Sequence, residues 1–449
     1  MKRRKPALPP TPPIGRMLLL LIVIAFFAGG LIGHGLAPPQ LAWLTEVLIV
    51  LMLVEVLHCC RREHRRMIFI GPVFPALVIA VSTLSWVGSD LSFMSMLLFL
   101  RKVLRFYLLA VVLVNSNIGE TVMRKANRWL AWLFVLQIPT AAVKLSIYGQ
   151  GEQAIGTYAA SSGGNSTVIP MIAVSFLLPF HYMYRKRLAT VLLGIGFLAF
   201  GIIGGKRGIV VLIPVVVLLS AVCMHWNMGR RMFGRRNFTV IFSVIVGGLL
   251  AFYATCRTVP RLNPDGRVWG RFSASFAMEL LKERLETEQE GGASHRVSAT
   301  ATAWRHIYKG GTGTVLLGDG PGSRMKSIFQ TYDKRYAGTD DGPNIRYGTT
   351  GLSWLMLQIG VLGAAVWLGF FVYALFAVSR NGRKEQDPYW RAFHVGMMGF
   401  TLVTLLVSCI YNTSLLFGDC VAFVYMVLLA FSIKRDQLNR QAVLNAVQG

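Results

Sequence analysis

Gly204-Gly205-Lys206-Arg207-Gly208 sets two cations among three glycines between two apolar runs. Glycine lets an anion approach the backbone, and a guanidinium grips phosphate through two parallel hydrogen bonds. This pattern predicts recognition of a phosphate or diphosphate at a membrane surface, with Arg207 leading and Lys206 beside it. The plainer alternative is a pair of cations reaching for water at a tight hairpin. Arg101, Lys102 and Arg105 form a second group, inside an apolar run. Positions 101 and 105 share a helix face. A cation at that depth costs about 3 kcal/mol or more and turns toward a cavity or a partner. The three either line a pocket for a lipid-borne phosphate or pair with Glu46, Glu55 or Asp419.

A third group lies late in the chain. It comprises Arg296, then Trp304-Arg305-His306, then Leu316-Leu317-Gly318-Asp319-Gly320-Pro321-Gly322. The glycines could form a turn that exposes backbone N–H groups to an anion. No Gly-Lys-Ser/Thr ending follows, so this is not a nucleotide-binding loop. His295 and His306 read as surface histidines rather than ligands. Asp340-Asp341 is followed by Gly342-Pro343-Asn344-Ile345-Arg346. Adjacent carboxylates can supply a base or hold a divalent cation, or form a solvated acidic turn. The acidic stretch from Glu279 to Glu290 reads as a solvated helix face.

The elements that position these groups are set by composition. Of 449 residues, 54% are hydrophobic and only 15% charged, against about 25% charged in soluble proteins. The apolar residues fall in runs of about 18–25, enough for a helix to cross roughly 30 Å of hydrocarbon. The reading is an all-α polytopic membrane protein with twelve spans: 17–36, 40–60, 67–87, 91–114, 128–147, 166–184, 188–205, 208–226, 237–255, 348–378, 392–412 and 414–433. It forms a single transmembrane domain over 1–449, with one large loop, 256–347, between spans nine and ten. No tandem repeat or separate soluble domain is apparent.

The net charge of +26 sits in short clusters between the spans. That placement argues against nucleic acid, which would call for a long basic stretch with interleaved aromatics. With the N-terminus inside, Arg61-Arg62-Glu63-His64-Arg65-Arg66, then Arg124/Lys125/Arg128, Arg185-Lys186-Arg187, Arg230/Arg231/Arg235/Arg236, Arg380/Arg383/Lys384/Arg391 and Lys434/Arg435/Arg440 all fall on the cytoplasmic side. Junctions 37–39 and 88–90 on the other side carry no Lys or Arg. This asymmetry puts both termini inside. Span four holds three cations, yet removing it would invert every later loop. The basic stretch 2–5 and the run 17–36 imitate a signal peptide but read as a retained first span. The six cysteines show no metal-ligand spacing, and adjacent Cys59 and Cys60 argue against a disulfide framework. Within the loop, Phe272, Phe276 and Leu280 mark an amphipathic helix. A second is expected over 294–308, with a stripe of Val297, Ala301, Trp304 and Tyr308.

In this order the pieces resemble the O-antigen ligase and polymerase superfamily of bacterial envelope glycosyltransferases. The features are the Gly-Lys-Arg-Gly turn before span eight, the large late loop, and Arg296, Trp304 and the Gly318-Asp319-Gly320-Pro321-Gly322 run. Leu352-Ser353-Trp354-Leu355-Met356-Leu357-Gln358-Ile359-Gly360-Val361-Leu362-Gly363 then resembles the family's helix re-entering the membrane. The likeness covers about 200–363. Ligases of the family commonly carry a histidine eleven residues before that helix's first glycine; here the position is Thr349. The resemblance therefore implies a polymerase rather than a ligase.

It implies a bacterial inner-membrane enzyme whose site faces the periplasm. Without metal or cofactor, it would move a glycan from a polyprenyl diphosphate to an acceptor sugar hydroxyl. Partners would be the lipid-linked oligosaccharide, membrane lipids, and chain-length-regulating and flippase proteins. Arg207 and Arg296 would stabilise the departing diphosphate. Asp340, Asp341 or Glu279 would take the proton, and Arg101, Lys102, Arg105, Lys206, Arg305, Asn344 and Arg346 would bind diphosphate or glycan. Small residues such as Gly201 and Gly205 would let helices close around the site. The competing class is a twelve-span secondary transporter, which would show two matched halves; none is found.

Overall fold

A computed structural model of the chain describes residues 13–64, 66–149, 153–154, 156–158, 165–184, 187–204, 208–228, 263–276, 296–323, 350–410 and 419–448. It also describes scattered positions between 246 and 257, and 279. Among the described residues there is no strand. The helices are α1 (Pro13–Gly33), α2 (Leu41–Arg62), α3 (Val73–Val87), α4 (Phe93–Asn115), α5 (Glu120–Tyr148), α6 (Asn165–Met183), α7 (Arg187–Ile203) and α8 (Gly208–Met228). Then come α9 (Arg296–Lys309), α10 (Gly311–Leu317), α11 (Gly351–Lys384), α12 (Pro388–Ile410) and α13 (Asp419–Gln448).

The chain is a helical membrane protein. Helices α1, α2, α5, α11 and most of α12 are each long and apolar enough to cross a bilayer. Parts of α3, α6, α7 and α8 are shorter apolar helices. α4 matches the long ones in length but carries Arg101, Lys102 and Arg105. Helices satisfy their own backbone groups and so suit hydrocarbon. α2 turns Val47, Val50, Leu51 and Val54 outward, as expected where the surroundings are lipid rather than water. Each expected span except 237–255 overlaps one of these helices; 237–255 falls mostly outside the described residues.

The bounds differ where polar groups hold the ends. α5 begins at Glu120 rather than 128, because Glu120 bonds Arg124, Trp390 and Arg435. α3 begins at Val73 rather than 67. Ile68 is held instead in an extended stretch, its N–H donating to Asn115 Oδ1 while Asn115 Nδ2 donates to its carbonyl. α11 packs on α3 and α12, α12 on α6 and α8, and α13 on α4.

Among the described residues, the junctions at Arg124, Arg383 and Arg435 gather at one end of the bundle. Arg124 on α5 pairs with Asp387, and Arg435 on α13 pairs with both Glu120 and Glu385. Arg383 lies over the ring of Trp226 at the end of α8. Lys434 donates to the last carbonyls of α4, Val114 at 3.1 Å and Ser116 at 2.7 Å, where a helix leaves acceptors unfilled.

Glu385, only 3% exposed, is the hub of this end. Burial alone would raise its carboxyl. The Arg435 hydrogen bond, the Asp387 backbone N–H, the Asn439 amide and the Arg435 charge outweigh burial and bring it to about 2. A depressed folded value stabilises the protein above the unfolded pKa, about 4.3. That contribution disappears as pH falls toward 2. Thermal unfolding in detergent should therefore be level above pH about 5 and decline below it, and Glu385→Gln should flatten part of the decline. Arg435→Ala should cost about 3 kcal/mol, since it strands a buried carboxylate.

Candidate functional site

The opposite end of the bundle holds the late loop. α9 seats Ala303 and Ile307 inward, at 1% and 0% exposure, and packs on α10, α11 and α12. Of the expected stripe, Ala301, Trp304 and Tyr308 share the outward face, and the Trp304 and Tyr308 rings stack at 6.5 Å; the side chain of Val297 lies outside the described residues. The contact with α11 and α12 accepts a small residue and an isoleucine and leaves the large rings outside. Position 296 opens α9. Its side chain lies outside the described residues. Arg305 lies opposite the face of Ala303 and Ile307 and is exposed.

α11 contains a break. Ile359 (φ −130°, ψ 20°) and Gly360 (φ 66°, ψ −169°) leave helical geometry, which frees the carbonyls of the preceding turn. The Gly-Asp-Gly-Pro-Gly run fills them. Asp319 N–H donates to Leu357 O at 2.8 Å and Gly320 N–H to Gln358 O at 3.1 Å. Gly322 N–H donates to Gln358 Oε1 at 2.6 Å. Ser85 at the end of α3 donates to Leu317 O and Gln358 O.

The glycines are required by this seat. A Cβ on Gly360 would stand 2.1 Å from Leu316 O, and one on Gly318 2.7 Å from the Gln358 carbonyl carbon. On its other side the run packs against Ser89, Leu91 and Ser95 at the α3–α4 turn. The expectation that this run offers its amides to an anion is thus corrected. The amides of Gly318, Asp319, Gly320, Gly322 and Ser323 all donate within the protein.

One pairing was not foreseen. His306 Nε2 lies 3.0 Å from Asp319 Oδ2, with side chains 32% and 10% exposed. His306 is not the plain surface histidine of the sequence reading. The two are brought together because the chain turns at Gly310-Gly311 into α10 and returns along α11. Thirteen residues of separation give no hint of that turn. The start of α11 lies against the same helix. Thr350 and Ser353 form a reciprocal cap, and Thr350 Oγ1 is 3.5 Å from Thr300 Oγ1 on α9. The position where the ligase-type histidine is absent, Thr349, is the residue before this cap.

The remaining candidates separate. Arg101 grips Glu46 through Nε and an NH2 group at 2.9 and 2.7 Å, and Arg105 meets the same carboxylate at 3.1 Å. Glu46 is thus a partner of both, as one of the three acids considered; the side chain of Asp419 lies outside the described residues. These residues lie roughly 9 Å further along α4 than Ser95, at 1.5 Å per residue. Lys102 borders a recess lined by Phe74, Phe106, Trp367, Phe371 and Tyr425.

Lys206 and Arg207 lie between α7 and α8, outside the described residues. The helices beneath them are close: a Cβ on Gly201 would meet Ile209 at 2.6 Å. α8 ends with Asn227 against Met398 on α12, so it begins at the end that holds α9. Gly205, His295, Asp340, Asp341, Asn344 and Arg346 lie outside the described residues, as does Leu280. Glu279 is exposed. Elsewhere in the loop, Asn263 bonds the carbonyls of Arg257 and Arg267, so this part is folded. Among the described residues no three His, Cys, Asp or Glu side chains group as metal ligands.

The chain matches no known family model and no curated protein.

Proposed function

We propose that the chain is an inner-membrane polymerase that joins polyprenyl-diphosphate-linked oligosaccharide units on the periplasmic side. It would cross the membrane twelve times with both termini in the cytoplasm. The observation that carries this reading is the docking of the late loop. The Gly318-Asp319-Gly320-Pro321-Gly322 run is built into the break of α11 and the helix opened by Arg296 packs on α11, at the end away from the described basic junctions. α8 also begins at this end, directly after Arg207. Two arginines flanking a lipid-borne diphosphate there would stabilise its charge as it leaves.

Thr349 favours polymerisation over ligation. A broken helix is also a mark of transporters, where freed carbonyls line an ion path. Here loop amides and Ser85 occupy them, which does not favour transport.

The test is purified protein in lipid with a polyprenyl-diphosphate oligosaccharide, read as a ladder of longer glycans. A ladder that persists in EDTA supports a metal-independent polymerase. A folded protein that makes none from cognate substrate counts against the reading, and transfer to another acceptor or transport becomes the next assay.

A further inference from the structure

The reaction proposed above needs a group to take the acceptor proton. Glu279 is exposed, and Asp340 and Asp341 lie outside the described residues. The other described histidines have different surroundings: His58 and His64 lie at the basic end of α2 and His225 at the end of α8. His394 is buried at the far end against Ser432, His34 meets Lys144, and His181 bonds Leu177 in its own helix.

His306 differs. It is partly exposed beside a nearly buried carboxylate, and that carboxylate belongs to a residue whose amide is pinned to Leu357 on α11. Asp319 therefore cannot swing with the loop; it fixes the imidazole relative to the membrane helices. A fixed carboxylate behind a histidine selects one tautomer and stabilises the imidazolium once formed.

We propose that His306 is the general base of glycan transfer and Asp319 its positioning residue; the assignment rests on the polymerase reading. The acceptor hydroxyl oxygen attacks the anomeric carbon of the donor. The bond from that carbon to the diphosphate oxygen breaks, and the diphosphate leaves with the electron pair. The hydroxyl proton passes to His306 Nδ1 while Nε2–H stays on Asp319, and the imidazolium later gives its proton to water. Among the described residues, the charged groups on the elements packed about the ring are Asp319 beside it, Arg305 and Lys309 on α9, and Asp90 on the α3–α4 turn. α10 carries none, α11 none before Arg380, and α12 has Arg391 and His394 toward its far end.

The experiment is elongation by the full chain in lipid across pH 5–9, with donor binding measured alongside. His306→Ala should retain donor binding and lose about 10²–10⁴-fold in rate. It should also lose the rising limb of the pH profile, and added imidazole should recover part of the rate. Asp319→Asn should lower the rate by a smaller factor. If His306→Ala does not fold, His306→Gln takes its place with the same readouts. An active wild type whose rising limb survives in the variant, or whose variant stays within tenfold, overturns this assignment alone. A wild type that elongates nothing overturns the polymerase reading and this assignment with it.

Discussion

Gly360→Ala should detach the loop from the bundle and lower stability by about 4 kcal/mol or more. Two costs combine. At φ 66° and ψ −169° the residue is in a region open essentially to glycine, and a side chain there costs about 1–3 kcal/mol. The added methyl would also meet Leu316 O at 2.1 Å. That atom belongs to the backbone, so it cannot rotate away as a side chain would. Relief requires α10 to move off α11, which breaks the Asp319 and Gly320 hydrogen bonds at about 1 kcal/mol each. Gly369→Ala on the same helix is the control, since a Cβ there meets nothing within 4 Å. Melting in detergent, with limited trypsin digestion at Lys309, reads both effects. Equal melting points for the two variants would mean that the break does not depend on glycine.

Arg207→Ala and Arg296→Ala should each cut elongation by about 10²–10³-fold, the usual loss when one preorganised donor to a developing anion is removed. Lysine at either position keeps the charge but loses the planar fork, so Arg→Lys should recover only a small part. If both act on one diphosphate, the double variant should lose less than the product of the single losses. The loss should fall on kcat more than on donor affinity, because the charge to be stabilised appears only as the bond breaks. Elongation within tenfold of wild type in either alanine variant would remove that arginine from the role.

Much of the helical arrangement was readable from sequence because apolar length and basic clusters are one-dimensional signals. The runs located the described helices, and the described basic residues Arg124, Arg383 and Arg435 lie at one end. α9 was expected over 294–308 and occupies Arg296–Lys309.

What escaped depends on distant partners. The break in α11 leaves no trace in hydropathy, because Ile359 and Val361 continue the apolar pattern through it. It exists because a segment some forty residues earlier supplies its hydrogen bonds. The same dependence misled the reading of the glycine run, whose amides looked available until the carbonyls facing them were known. Arg101 and Arg105 had three acids to choose from, and it takes the packing of α2 against α4 to bring Glu46 to both. The stripe on α9 did not say which side faces the bundle; the neighbouring helices take Ala303 and Ile307 and leave Trp304 and Tyr308 outside.

The interlock between loop and broken helix also bears on biogenesis and on chimeras. The 318–323 segment is synthesised before its acceptors in α11. Its amides therefore lack their final partners until the later helix has been made and inserted. α11, once inserted, presents carbonyls that this loop answers, with Ser85 of α3 adding one bond. Neither piece is a self-sufficient module. A graft from a related chain should therefore carry 296–384 as one cassette; a transplanted loop without its own broken helix would arrive with nothing to dock on.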